Sequence, residues 1–436
     1  MNKKLSSTKD VISKPPHSVP LVSKYLWLGV VLVSFSPLLL LKESPGIAPV
    51  ELAISFVLIL VFFLWILKTF VIAKPIRLRP LDLSIILLFS FFILDFSKVL
   101  FLDMKITDWL HWRRFIFLLL FFPVSTEFFK KKRVDGMFYL LISLSAFISL
   151  LEIYDALRLS SITSLSVAGT ITSVYPMWTA IFLLGTVRFI LRKDIELNNI
   201  VKVLFMIALG VCLIDVLSFA RRTPFLLVII SIFLSIFFGL KTQKRIPIAA
   251  IVVILLILVF LLYFSGLYKT FMTRVTVLNL EHPVKQRLER YKIAFQQFLK
   301  NPILGSSEGG PIRYYDLRDK VYVTGSIHSI YLEILAKGGL IGGLVFAFFI
   351  YKVFSFLTSV LKKKIPIKLR MYTEASLITV ICMFISGLTS TRMHQVESWL
   401  FLALLLGLVN GLYFITFRGT DDKENRIKDN HVLAES

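Results

Sequence analysis

Residues 325–343 read Gly325-Ser-Ile-His-Ser-Ile-Tyr-Leu-Glu-Ile-Leu-Ala-Lys-Gly-Gly-Leu-Ile-Gly-Gly343. The stretch sets a short amphipathic helix ahead of Gly338-Gly339, after which the chain turns apolar and enters a membrane span. Ser326 is placed to cap that helix, which puts His328 in the first turn, where the partial positive charge of a helix start disfavours imidazolium. A histidine held neutral at a membrane surface is suited to take a proton from a hydroxyl. A polar anchor at the membrane–water boundary is the competing role.

Outward from this stretch, the chain of 436 residues is 56% hydrophobic and 14% aromatic, with a mean hydropathy of +0.79. A water-soluble domain could not hide that much apolar surface, so the chain reads as a polytopic, all-α membrane protein. The net charge of +23 is not a nucleic-acid footprint, because Lys and Arg cluster in short loops between apolar runs, the pattern that orients membrane helices. Cys212 and Cys382 both fall inside apolar runs, which argues against a disulfide framework or a thiolate metal site. The polar N-terminal tail, 1–24, leads into an apolar run without a small-residue cleavage site, read as a retained first span.

Runs long enough to cross a bilayer fall near 25–41, 51–69, 81–101, 136–154, 175–192, 200–219, 223–240, 246–264, 339–359, 374–390 and 397–416. A further run near 107–125 is interrupted by Arg113 and Arg114, and counting it gives about twelve transmembrane helices. Lys and Arg alternate correctly between the two sides only if this run crosses, and both termini then face the cytoplasm. The expected divisions are a cytoplasmic tail over 1–24, nine spans over 25–264, an outer loop over 265–338, three spans over 339–416 and a cytoplasmic tail over 417–436. The last of these is charged and expected to be without structure.

That topology puts Arg221, Arg222, the 265–338 loop with His328, and Arg392 and His394 on the outer face. Arginine is scarce on that face by rule, so these residues need another reason to be there, and binding an anion is the simplest. In the long loop, Val284, Leu288, Tyr291, Phe295 and Phe298 recur at helical spacing, which predicts an amphipathic helix along the membrane surface. Arg287 and Arg290 are three apart and share one side of it. Pro302 and Gly305 end it, and 306–326, rich in Gly, Ser and Tyr, reads as irregular chain. Each arginine group has a plainer role open to it, in snorkelling or in holding anionic lipid headgroups. Asp95 with Lys98, and Asp215, are weaker leads inside spans. No metal-ligand spacing stands on the outer face, so neither a metal nor another cofactor is expected.

Together these residues resemble the O-antigen ligase and O-antigen polymerase superfamily. The motif of a His-Asn-x-Tyr-Leu-like segment before a Gly-rich membrane helix reads here His328-Ser-Ile-Tyr331-Leu332 and Ala336-Lys-Gly-Gly-Leu-Ile-Gly-Gly343. The Arg-x-x-x-Trp and Pro-x-x-Gly block reads Arg287-Leu-Glu-Arg-Tyr291 and Asn301-Pro302-Ile-Leu-Gly305, and the Ser-Arg-Gly turn reads Ala220-Arg221-Arg222. Ser329, Tyr291, Ala220 and Arg222 depart from that pattern, which leaves Arg221 and Arg222 both open as the counterpart of its arginine. The resemblance implies a GT-C-like fold and an inverting, metal-independent glycosyl transfer at the periplasmic face of the bacterial inner membrane. Its donor would be an undecaprenyl-diphosphate-linked glycan and its acceptor lipid A–core in a ligase, or another lipid-linked repeat unit in a polymerase. His328 would be the general base, and Arg221 and Arg287, with Arg222 and Arg290 as second choices, would hold the diphosphate. A secondary transporter or flippase has a similar number of spans, but such proteins place charges at the midplane and carry internal repeats. A noncatalytic assembly subunit is the third reading, and it predicts that His328→Ala changes nothing in transfer.

Overall fold

The computed structural model describes residues 18–34, 49–71, 80–101, 110–127, 131–160, 174–190, 198–218, 222–242, 281–306, 312–316, 321–325, 327–389 and 395–435. They form α1 (Ser18–Ser34), α2 (Pro49–Val71), α3 (Pro80–Phe101), a 3-10 segment (Leu110–Leu120) running into α4 (Phe121–Glu127), α5 (Lys131–Ser160), α6 (Tyr175–Ile190), α7 (Asn199–Ser218) and α8 (Arg222–Thr242). After these come α9 (Glu281–Lys300), β1 (Ile312–Asp316), β2 (Val321–Gly325), α10 (Ile330–Lys362), α11 (Ile367–Thr389) and α12 (Val396–Glu435).

Five helices among the described residues are long and apolar enough to cross a membrane, within α5, α7, α10, α11 and α12. Shorter apolar helices cover Ile54–Thr69, Arg114–Thr126, Tyr175–Ile190 and Thr223–Gly239. This is a multi-pass membrane protein. The run expected near 246–264 lies outside the described residues.

The core forms where apolar helices meet other helices rather than lipid. Every residue of α6 is buried, and α6 packs on α7, α8 and α11 while α12 packs on the 3-10 segment, α4 and α11. Tyr372 stacks on Phe138 at 4.0 Å between ring centroids, and Phe138 on Phe182 at 5.6 Å, so α11, α5 and α6 interlock through flat aromatic faces. Around this centre, α2, α3, α7, α8 and α10 keep large apolar side chains exposed, Phe56, Leu94, Ile200, Phe233 and Leu344 among them. On α7 and α10, which are long and apolar enough to cross a membrane, exposed apolar surface of that extent is the face that meets lipid.

Polar contacts fix which ends lie together. Val174 N donates to Glu397 Oε2 at 2.9 Å and Trp178 Nε1 to Ser398 Oγ at 2.9 Å, joining the starts of α6 and α12. At the other end Arg188 pairs with Glu374, Arg370 Nε reaches Glu374 at 2.9 Å, and Lys368 reaches Asp135 at 2.6 Å. The end of α6 thus meets the start of α11, which is tied in turn to the start of α5, so α6 runs antiparallel to α11 and parallel to α12.

Three local expectations change. The 306–326 stretch contains an antiparallel hairpin in the register Ile312↔Gly325 to Asp316↔Val321. Ile312, Tyr314, Tyr315, Val321, Tyr322 and Val323 are strand formers, and their weight exceeds that of the Gly and Ser around them. Helix α12 continues to Glu435 where a structureless tail was expected; after Gly419 no Gly or Pro interrupts it. The doubtful run near 107–125 is helical, but its first part is 3-10, with buried Arg114.

Candidate functional site

The N-terminus of α10 differs from the sequence reading in one detail that matters. The cap is Ser329, not Ser326: its backbone is extended (φ −132°, ψ 121°) and its hydroxyl accepts from Leu332 N at 3.4 Å. His328 therefore stands one residue ahead of the cap, outside the helix and half-buried. The helix breaks where expected, at Gly339, whose φ of 63° and ψ of −161° are non-helical, and then continues to Lys362.

The break is filled by the turn that follows α9. Leu340 N donates to Pro302 O at 2.8 Å and Ile341 N to Ile303 O at 3.3 Å, while Ser306 N donates to Ala336 O at 2.8 Å. The amides released at the kink thus find carbonyls in the Pro302–Gly305 turn, as buried backbone groups must. Both glycines of the joint are required by geometry. A Cβ on Gly305 (φ 79°) would stand 2.2 Å from Lys337 O, and one on Gly339 would stand 2.3 Å from Ile303 O. Left-handed backbone costs a non-glycine residue roughly 1–3 kcal/mol before any clash is counted. Gly305→Ala and Gly339→Ala should each lower the thermal midpoint of the purified protein and reduce folded yield. A wild-type midpoint in both variants would rule out the joint as drawn.

With its end tied to the kink, α9 lies along the start of α10. Ala294 of α9 packs with Ile327 and Ala336 in a small buried cluster, flanked by Tyr291, Ile293 and Leu332. Arg287, Arg290 and Ala294 follow at spacings of three and four and so share one face of α9. Arg290 is buried and Arg287 exposed. Thus the helix that carries both arginines packs against the residue immediately before His328. The Tyr291 hydroxyl donates to Leu388 O at 3.3 Å, which ties α9 to the end of α11 as well. Burial pushes the Tyr291 phenol up, and the Arg287 charge pulls it partly back.

Of the other expected residues, Arg221 lies outside the described residues, as do Arg392 and His394. Arg222 is the first residue of α8, and its side chain is likewise outside them. Helix α8 packs on α11, whose last turn receives Tyr291, so the elements form the series α8–α11–α9–α10. Asp95 of α3 and Asp215 of α7 are buried.

One group near His328 was missed. Glu333, in the first turn of α10, accepts from Arg114 at 2.6 Å and from Lys337 at 2.9 Å, with all three side chains no more than 7% exposed. Glu333 and Lys337 stand four apart, a visible helix pair. Arg114 is 219 residues away, and nothing local in the sequence joins it to them. The 3-10 segment that carries it is thereby tied to the helix that follows His328.

Residues 205–347 match the family model described as O-antigen ligase. The match runs from α7 to just beyond the kink of α10, and so takes in α8, α9, the hairpin and His328. No curated protein matches the chain.

Proposed function

We propose, from the O-antigen ligase domain that spans residues 205–347, that this chain transfers a glycan from undecaprenyl diphosphate to a sugar hydroxyl of lipid A–core. The reaction takes place at the periplasmic face of the bacterial inner membrane, where about twelve spans in a GT-C-like arrangement hold the 265–338 loop. The observation that carries the reading is the packing of α9, with Arg287 and Arg290, on the segment that ends in His328 through Ala294, Ile327 and Ala336.

His328 takes the proton of the acceptor hydroxyl. The hydroxyl oxygen then bonds to the anomeric carbon while the bond from that carbon to the diphosphate oxygen breaks, so the configuration inverts. The electron pair leaves on undecaprenyl diphosphate, and guanidinium groups hold the growing negative charge without a metal ion. Arg287 is the exposed candidate on α9 and Arg290 supports it from the buried side, with Arg221 or Arg222 as a further guanidinium for the diphosphate.

Transfer by the purified protein in proteoliposomes, with a lipid-linked glycan donor and purified lipid A–core, tests the reading. Product on lipid A–core supports it. Lengthened lipid-linked chains without that product identify a polymerase on the same site. Neither product, with net movement of donor across the bilayer, identifies a transporter. Arg287→Lys should lower transfer about 10- to 100-fold although the charge is kept, because an ammonium lacks the planar two-pronged grip and a charge-assisted bond contributes roughly 1.5–3 kcal/mol. Full activity in that variant would remove Arg287 from the diphosphate site.

A further inference from the structure

Helix α9 has two apolar faces, and among the described residues only one of them is buried against the rest of the protein. The inner face holds Ala294 against Ile327 and Ala336. On the opposite side Leu288, Phe295 and Leu299 recur at spacings of seven and four, and each is between 51% and 60% exposed. Ile303 and Leu304 extend this surface at 63% and 60% exposed. Lys285, Lys292 and Lys300 are exposed beside the same residues.

This surface does not end at the turn. Pro302 and Ile303 are hydrogen-bonded through their carbonyls to Leu340 and Ile341 of α10. Leu340, Ile341 and Leu344 are themselves exposed, on a helix long and apolar enough to cross a membrane. An exposed apolar side on such a helix faces acyl chains, and the turn that follows the α9 stripe is joined to it by the 2.8 Å hydrogen bond from Leu340 N to Pro302 O. The kink at Gly339 is thus also where the exposed apolar surface turns from the span towards α9.

We propose that the outer face of α9 is a membrane-docking surface. Leu288, Phe295 and Leu299 sink into the acyl boundary of the leaflet next to the start of α10, roughly 5–10 Å deep as interfacial helices do, while Lys285, Lys292 and Lys300 extend to lipid phosphates. The occupant is phospholipid, because the surface combines an apolar stripe with flanking cations and is continuous with the face of a span. The inference holds whatever reaction His328 serves.

Fluorophore-labelled cysteines in the full chain, reconstituted in vesicles of phosphatidylethanolamine and phosphatidylglycerol, test this. Cys212 and Cys382 are buried, so native thiols give little background. At Phe295→Cys and Leu288→Cys, a lipid nitroxide near the glycerol end of the acyl chain should remove most of the emission, and aqueous iodide should remove little. At Glu289→Cys, on the flank of the stripe, iodide should quench. Iodide quenching at 288 and 295 without nitroxide quenching would overturn the proposal in favour of a water-exposed helix. Protection from both quenchers would overturn it in favour of a protein cover, such as a second copy of the chain.

Discussion

Replacing His328 with alanine should lower glycan transfer by about 10²–10⁴-fold, the usual contribution of a positioned general base, while leaving the protein folded and able to bind the lipid-linked donor. The expectation of an intact fold follows from where the residue stands. His328 is half-buried and lies outside α10, whose cap is supplied by the Ser329 hydroxyl. The neighbouring anchor, Ile327, keeps its place against Ala294 and Ala336. Truncating the imidazole therefore removes neither the cap nor the cluster. The decisive measurement compares transfer with donor binding in the same proteoliposomes. A lost rate with retained binding assigns the histidine to acceptor activation. An unchanged rate would sink the general-base role and leave the noncatalytic reading standing. Equal loss of rate and donor binding would make His328 part of the diphosphate site instead.

What the sequence disclosed followed from how far apart the interacting groups lie along the chain. Apolar runs are local, and apart from the one near 246–264 each expected run overlaps a described helix. The break at Gly338-Gly339 was equally plain, because two successive glycines ahead of an apolar run mark a helix end. The cap was misplaced by one turn because Ser326 and Ser329 have the same chemistry. The choice falls to Ser329 once a hairpin ends at Gly325 and Ile327 docks on α9, and neither event leaves a mark within the serines themselves. The hairpin is masked in the sequence because glycine and serine, which signal irregular chain, surround its aromatic and β-branched residues. Periodicity does not divide the two faces of α9, since it counts apolar residues without saying which are buried and which stay exposed. In the sequence, Arg114 only interrupts an apolar run. Its partner stands so far along the chain that only the folded protein shows the charge to be a contact.

That contact leads to the second large effect. Glu333→Ala should destabilise the protein by about 3–5 kcal/mol, the range for removing one partner of a buried ion pair. The cost is set by what remains, because Arg114 and Lys337 are both nearly inaccessible to water and lose the carboxylate that they share. Desolvated cations that lose this carboxylate cannot replace it with water without opening the structure. Glu333→Gln is the informative companion, since its amide oxygen still accepts from Arg114 and its volume is unchanged, so its cost should be smaller. Thiol-reactive dye uptake during heating reports unfolding well here, because Cys212 and Cys382 are both buried. The order of midpoints should be wild type, then Gln, then Ala. An Ala variant as stable as wild type would mean that water reaches this cluster and that the tie between the 3-10 segment and α10 is weak. If the Ala variant instead unfolds early but regains wild-type transfer at low temperature, the cluster supports the fold without setting the position of His328. A rate that stays low at low temperature, with the donor still bound, would show that the Arg114–Glu333 tie also orients the histidine one turn before it.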